Sequence, residues 1–237
     1  MALILVTGAS GGLGYSTATA LAAGGHDVVV HARTPARVAA PAGGGRWAGV
    51  VTGDLAETGE ITGVARQAAA FGRFDAVIHN AGTMHTPEAA TVNTIAPYLL
   101  TALMDRPSRL IYLSSSMHRG GSTGLAPLAD GTASYSDSKL WVTALAMAVA
   151  SRWEGTAAQA VDPGWVPTRM GGPGATDDLA AGHQTQVWLA THDDITPPTG
   201  GYWFHQRTQD PHLATRDPKF QDRLLQALEE RTGVRLY

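Results

Sequence analysis

Short apolar runs alternate along this chain with longer stretches whose apolar positions recur at helical spacing. The runs Leu3 to Thr7, Asp27 to Ala32, Trp47 to Thr52, Ala76 to His79, Arg109 to Ser114, Ala157 to Val161 and Gly201 to Phe204 have the length of strands. Between them, Leu13 to Ala23, Ile61 to Phe71, Val92 to Met104, Tyr135 to Trp153 and Leu179 to Thr191 read as helices. Pro97 marks a kink in the third helix or a later start, because proline has no N–H for an interior helix bond. Strands that are apolar throughout and separated by helices form a parallel sheet covered on both faces. The pattern therefore predicts one α/β domain over residues 1–237, a doubly wound, seven-stranded parallel sheet with helices on both sides. Phe220, Leu224, Leu225 and Leu228 add a terminal amphipathic helix that packs on the core or on another subunit.

Composition narrows the function classes. A length of 237 residues suits a single well-buried core. Without cysteine there is no disulfide framework, thiol nucleophile or cysteine-held metal, which fits a reducing compartment, and the cytoplasm is the default expectation. The apolar start from Met1 is too short for a membrane span and lacks a basic leader, so no membrane association is expected. A net charge of -3 with scattered arginines gives no field for nucleic acid. The nine histidines lack ligand spacing, so no metal site is expected.

Two local patterns carry chemistry. After the first strand, Thr7-Gly8-Ala9-Ser10-Gly11-Gly12-Leu13-Gly14 opens a helix. Glycines there allow a tight turn and close approach of a pyrophosphate to free helix amides, although turns use glycine for other reasons too. The second strand ends in Ala32-Arg33 with no carboxylate beside it in the chain. An arginine at that point suits the extra phosphate of NADP(H), with Arg37 as a second contact, against the plainer reading of a solvated arginine. NAD(H) stays open as a cofactor. The second pattern is Tyr135 and Lys139, four residues apart on one helix face, where a cation favours the phenolate. Only two lysines stand against fifteen arginines here, which makes Lys139 informative, yet the pair alone is equally a chance pairing on a solvated face.

Seven motifs then follow in order: Thr7-Gly8-x-x-x-Gly12-x-Gly14, Asp54-Leu55, His79-Asn80-Ala81-Gly82, Asn93, Ser114-Ser115, Tyr135-x-x-x-Lys139, and Pro163-Gly164-Trp165-Val166-Pro167-Thr168. In this order they resemble the short-chain dehydrogenase/reductase family over nearly the whole chain. The only two asparagines, Asn80 and Asn93, both fall on motif positions. Ser114-Ser115-Ser116-Met117-His118 and Tyr135-x-x-Ser138-Lys139 resemble the retinol-dehydrogenase-like branch.

The resemblance implies a Rossmann fold and an NADP(H)-dependent oxidoreductase that interconverts a small-molecule carbonyl and alcohol. It implies cofactor contacts from Gly8, Ser10, Gly12, Leu13 and Gly14, from the adenine pair Asp54 and Leu55, and from Asn80, Ala81 and Gly82. Tyr135, Lys139, Pro163, Gly164, Val166 and Thr168 complete the cofactor set on the nicotinamide side. In the same terms Tyr135 is the acid/base, Ser115 steadies the substrate oxygen, Lys139 lowers the tyrosine pKa and holds a ribose, and Asn93 anchors a water chain. Ser115 is chosen over Ser114 and Ser116 by strand alignment. The resemblance also leaves a homodimer or homotetramer open, through the helices near Asn93 and Tyr135, with Ala144, Ala146, Ala148 and Ala150 permitting close packing.

Ten residues separate Gly82 from Asn93, a short interval for the family, and Ser115 to Tyr135 is a long one. Inside the latter, Gly120-Gly121-Ser122-Thr123-Gly124 formally matches a hydrolase nucleophile elbow, which requires a strand before it and a helix after it. Two other readings remain: a catalytically silent dinucleotide-binding sensor or scaffold, and an epimerase or dehydratase using the same pair. Trp165, Met170 and Gly171 to Gly174 are expected to line an apolar pocket or flap.

Overall fold

Eight strands lie side by side in the computed structural model, which describes residues 1–85 and 87–236. They are β1 (Leu3–Val6), β2 (Asp27–Ala32), β3 (Gly49–Thr52), β4 (Ala76–His79), β5 (Arg109–Leu113), β6 (Ala157–Asp162), β7 (Tyr202–Phe204) and β8 (Arg207–Thr208). The order across the sheet is β3-β2-β1-β4-β5-β6-β7-β8, parallel throughout except for the last pair. The seven expected strands are all present, and β8 is one more. It arises because His205 and Gln206 both take positive φ, 47° and 60°, a two-residue turn whose twist suits a hairpin.

Successive strand residues face opposite sides, and the two sides have separate cores. Ile4, Val6, Val28, Val30, Ile78, Ile111 and Val161 point toward α1 (Gly12–Ala23) and α7 (Leu179–Thr191). Leu5, Val29, Val51, Val77, Leu110, Tyr112 and Ala158 lie under α2 (Thr58–Ala69), α4 (Ala96–Leu103) and α6 (Tyr135–Arg152). This is the doubly wound α/β arrangement expected from the alternation of runs.

The third helix differs from its expectation. It begins with α3 (Glu88–Ala90), passes through a π-helical turn at Thr91–Ile95 and continues as α4. Pro97 has no N–H to give the Asn93 carbonyl, and the wide turn falls where that bond is missing. The Gly/Pro-rich excursion between β5 and α6 holds a 3-10 turn at Ser116–Gly120 and the short helix α5 (Ala126–Asp130). No strand directly precedes the Gly120 to Gly124 pentapeptide, and the Ser122 hydroxyl accepts the Gly124 N–H at 3.1 Å, so the nucleophile-elbow geometry is absent.

Helix α6 starts from a reciprocal cap. Ser134 accepts the Asp137 N–H at 3.1 Å while the Asp137 carboxylate accepts the Ser134 N–H at 2.9 Å. Every residue from Ser138 to Val149 is buried. The helix is enclosed by β5, β6, the Ser116–Gly120 turn, a second 3-10 turn at Leu213–Arg216 and the C-terminal helix α8 (Pro218–Thr232). Ala144, Ala146 and Ala148, expected to permit pairing of copies, are used up inside the chain. Among the described residues no helix is long and apolar enough to cross a membrane.

Candidate active site

The carboxyl ends of β1, β4, β5 and β6 deliver the expected residues to one edge of the sheet, where the strand order reverses. Gly8 takes φ +66°, and a Cβ on it would lie 2.8 Å from the Ala81 Cα. A Cβ on Gly14 would lie 2.3 Å from the Asn80 Nδ2. Glycine at both positions lets the β1–α1 loop close onto Asn80-Ala81-Gly82. The Asn80 Nδ2 donates to the Thr7 carbonyl at 2.9 Å, and the Ala81 N–H donates to the Thr7 Oγ1 at 3.0 Å. His31, buried in β2, accepts the Gly8 N–H on Nδ1 at 3.1 Å and gives its Nε2–H to the Gly53 carbonyl at 2.9 Å. Burial lowers its pKa and favours the neutral ring that this pattern requires.

The α1 amino end suits an anion. Gly11 caps it without a side chain, no acidic residue occupies the first turn, and nothing lies within 4 Å of a Cβ built on Gly11. Ser10 is exposed on the same turn, while Leu13 is buried beneath it. The buried Asn80 Oδ1 has no hydrogen-bond partner, a polar atom facing this end of the sheet. The side chain of Thr168 comes within 3.4 Å of a Cβ on Gly12, so the loop after β6 meets the glycine loop. That loop holds Pro163 and the buried Val166, with Gly164 at φ +83°. These features fit a dinucleotide: free amides at a helix start, glycines where a Cβ would intrude, and a second loop closing from the other side.

Arg33 follows β2 with its side chain about half exposed, and Arg37 sits exposed in a 3-10 turn nearby. The absence of a nearby carboxylate, read from chain order, is corrected by the fold. Asp54, beyond the end of neighbouring β3, lies 3.9 Å from the Arg33 Nη1. At that distance and exposure the pair is weak. Leu55 is buried in the core under α2.

The catalytic candidates converge on α6 and the end of β5. The Ser115 hydroxyl lies close enough to the Tyr135 hydroxyl to lower the tyrosine's pKa, and Ser115 is half-buried. Ser114 is buried, tied to the Thr143 Oγ1 at 2.6 Å, and Ser116 points outward. Lys139, 2% exposed, donates from Nζ to the Leu113 carbonyl at 2.7 Å and lies 5.6 Å from the centre of the Tyr135 ring. Asn93 gives its Nδ2 to the Thr83 carbonyl and to the Ser138 Oγ, both at 2.9 Å, and accepts the Thr83 N–H at 2.8 Å. A Cβ on Gly82 would lie 3.3 Å from the Asn93 Oδ1 and 3.6 Å from the Lys139 Nζ, so glycine keeps that corner open.

Burial raises the Tyr135 pKa, the Ser115 hydroxyl opposes the rise, and the charge of Asp162 adds to it. The net shift is thus upward, opposite to the lowering expected from Lys139, with burial its main cause; the Lys139 ammonium itself donates to the Leu113 carbonyl. Burial also pulls Lys139 down to about 8, with Asp162 holding it up.

One residue at this edge, Asp162, escaped the sequence reading, and His118 of the serine motif joins it there. Asp162 ends β6 and accepts the Gly164 N–H on Oδ1 at 3.0 Å and the Tyr202 hydroxyl on Oδ2 at 3.2 Å. A lone carboxylate closing an apolar strand, directly before Pro163-Gly164, was the available signal. His118 is fully buried, its Nδ1–H given to the Ser115 carbonyl at 2.7 Å and its Nε2 accepting the His212 N–H at 2.9 Å. Burial lowers its pKa to about 4, so it is neutral. Around the centre Met84, Met117, Trp165 and Met170 are exposed on the loops after β4, β5 and β6. Met170 reaches in, with its Cε 3.9 Å from a Cβ on Gly82. Among the described residues no group of histidine and acidic side chains is arranged to hold a metal ion.

Comparison with known proteins gives concordant matches. A family model described as short chain dehydrogenase matches residues 2–98. The short-chain dehydrogenase chyC of Penicillium rubens is 36% identical over 258 residues, covering 100% of this chain and 99% of that protein. Retinol dehydrogenase 14 of Mus musculus is 28% identical, covering 84% of this chain and 76% of that protein. Among solved structures, a protein from Mycobacterium paratuberculosis matches with a TM-score of 0.81 at 22% identity, covering 100% of this chain and 95% of the other. A short chain dehydrogenase from Escherichia coli CFT073 complexed with NADPH matches with a TM-score of 0.69 at 24% identity, covering 87% and 97%.

Proposed function

Because the chain belongs to the short-chain dehydrogenase/reductase family, we propose that it is an NADP(H)-dependent oxidoreductase interconverting a carbonyl and an alcohol, with Ser115, Tyr135, Lys139 and Asn93 as its catalytic set. The observation that carries this reading is the convergence of the Ser115 and Tyr135 hydroxyls beside the buried Lys139 ammonium, which lies 5.6 Å from the centre of the Tyr135 ring. A bound nicotinamide supplies or receives the hydride. The residues suited to hold the cofactor are the amides from Gly12 to Gly14, Asn80 to Gly82, Lys139, and the loop from Pro163 through Val166 to Thr168. Arg33, with Arg37 near it, suits a ribose phosphate and favours NADP(H) over NAD(H).

Tyr135 gives its phenolic proton to the substrate oxygen in reduction and takes it back in oxidation. Its raised pKa keeps that proton in place near neutral pH. Ser115 holds the same oxygen and stabilises its growing charge. Lys139, at a pKa of about 8, is poised to return a proton to the phenolate. The Asn93 carbonyl, to which Pro97 offers no N–H, is the anchor for water leading from Lys139 outward. The enzyme acts in this reading on a small molecule in the cytoplasm.

Nicotinamide absorbance, followed with a panel of aldehydes, ketones and alcohols, tests the proposal. Turnover is expected from the native protein, and Tyr135→Phe is expected to lose at least about 100-fold in kcat. Cofactor binding without turnover across the panel would replace the enzyme with a sensor.

A further inference from the structure

Asp162 is 4% exposed, and groups from three separate segments converge on its carboxylate. The Gly164 N–H donates to it at 3.0 Å from the loop after β6 and the Tyr202 hydroxyl at 3.2 Å from β7, while the Ser116 backbone, in the turn after β5, lies near enough to lower its pKa. We propose that Asp162 is a positioning residue of the catalytic centre, which ties the serine segment to the loop beside the nicotinamide and keeps a negative charge behind Tyr135 and Lys139. The inference rests on the carbonyl–alcohol reading of the site.

A turn of Pro163-Gly164 needs only a side-chain acceptor for the Gly164 N–H, which asparagine or serine also supplies. A full charge in a buried position demands more, because each lone pair left without a donor is costly. The charge is matched here by backbone and phenol donors and by the nearby Lys139. What these groups hold is the point. Ser116 directly follows Ser115, whose hydroxyl meets Tyr135, and Gly164 begins the stretch that carries Val166 and Thr168 to the glycine loop. A movement of Asp162 shifts both walls of the centre relative to each other.

Tyr202 extends the link to the C-terminal segment. Its hydroxyl lies near Ser114, and its ring packs against His118 with centroids 4.8 Å apart. His118 in turn joins the Ser115 carbonyl to the His212 amide. The charged and titratable groups around the carboxylate are Lys139 and Tyr135 from α6, Tyr202 from β7, His118 and Arg119 from the turn after β5, Asp177 from the loop before α7, and His212 behind His118. Burial raises the carboxyl's own pKa, Gly164, Tyr202 and the nearby Ser116 backbone lower it, and Asp177 adds to the rise. Its charge favours the protonated forms of both Tyr135 and Lys139.

The test is the pH dependence of kcat and kcat/KM for the NADPH-loaded enzyme with a carbonyl it reduces, alongside cofactor Kd and circular dichroism. Asp162→Asn keeps the shape and removes the charge. Its kcat is expected to fall on the order of 10- to 100-fold through misalignment, with NADPH Kd within about threefold. Its basic limb is expected at lower pH, because Tyr135 and Lys139 lose the charge that favoured their protons. Tyr202→Phe removes one donor and leaves the charge, so the carboxyl protonates more readily. A smaller fall in kcat and an acidic limb at higher pH are expected, and this variant decides alone if Asp162→Asn does not fold. Native kcat and unshifted limbs in the folded variants would overturn the role of Asp162 while leaving the carbonyl–alcohol reading intact. A native protein without turnover on any carbonyl or alcohol overturns that reading, and this inference with it.

Discussion

Lys139 is held almost wholly out of water, and its pKa of about 8 against an ordinary 10.5 has a consequence for stability. The native pKa is the lower one, so between about pH 8 and 10.5 the unfolded chain binds the extra proton. Stability therefore rises with pH across that window, and below it the full burial cost is present. The difference is on the order of 3 kcal/mol. Denaturant midpoints of the native protein and Lys139→Met, compared from pH 7 to 10.5, are expected to converge or cross as pH rises. Parallel curves would contradict a lysine buried at this cost. At this scale the sequence was informative for Tyr135 and Lys139, because helix spacing alone puts both on one face. It was silent on Asp162, whose burial depends on Tyr202, forty residues away, and misleading on Arg33, whose neighbour Asp54 comes from the adjacent strand.

Helix α6 is buried on every side from Ser138 to Val149, as a helix walled in by other elements is. Its alanines, which on a free helix would invite a second copy, meet β-strands, two 3-10 turns and α8 of the same chain. The expected outcome of light scattering on the purified protein is a monomer mass. Truncation before Pro218, which uncovers α6 and removes the buried Phe220, Leu224 and Leu228, is expected to give an aggregating or unfolded product. A soluble, native-like truncated protein would show that α8 is dispensable. The strands were legible because runs apolar on both faces have few other homes in a chain of this size. The helix through Asn93 was less so: Pro97 pointed to a kink or a later start, and a π turn at Thr91–Ile95 breaks the regular helix there while the helix begins earlier, at Glu88. β8 left no signal, because its turn uses His205 and Gln206 rather than the glycine or asparagine that marks such hairpins.

Over the whole molecule, cofactor and catalytic groups share one edge of a sheet whose two faces carry independent cores, so a ligand at that edge bears on most of the fold. A dinucleotide at 100 times its Kd adds about 2.7 kcal/mol, which for a chain of this size raises Tm by roughly 5–10 °C. NADPH is expected to give the larger rise over NADH at equal concentration, and Arg33→Ala to reduce the NADPH rise without altering that from NADH. Equal shifts in native and variant protein would remove Arg33 from cofactor selection. The enclosure of α6 also bears on how this chain could acquire a different substrate range. The helix that carries Tyr135 and Lys139 has no idle position between Ser138 and Val149, so nearly any change there is paid in folding before chemistry is reached. Met84, Met117, Trp165 and Met170 stand outside that constraint, exposed on loops that share the same edge. Laboratory evolution confined to those four positions would vary the rim while inheriting an unaltered reaction centre.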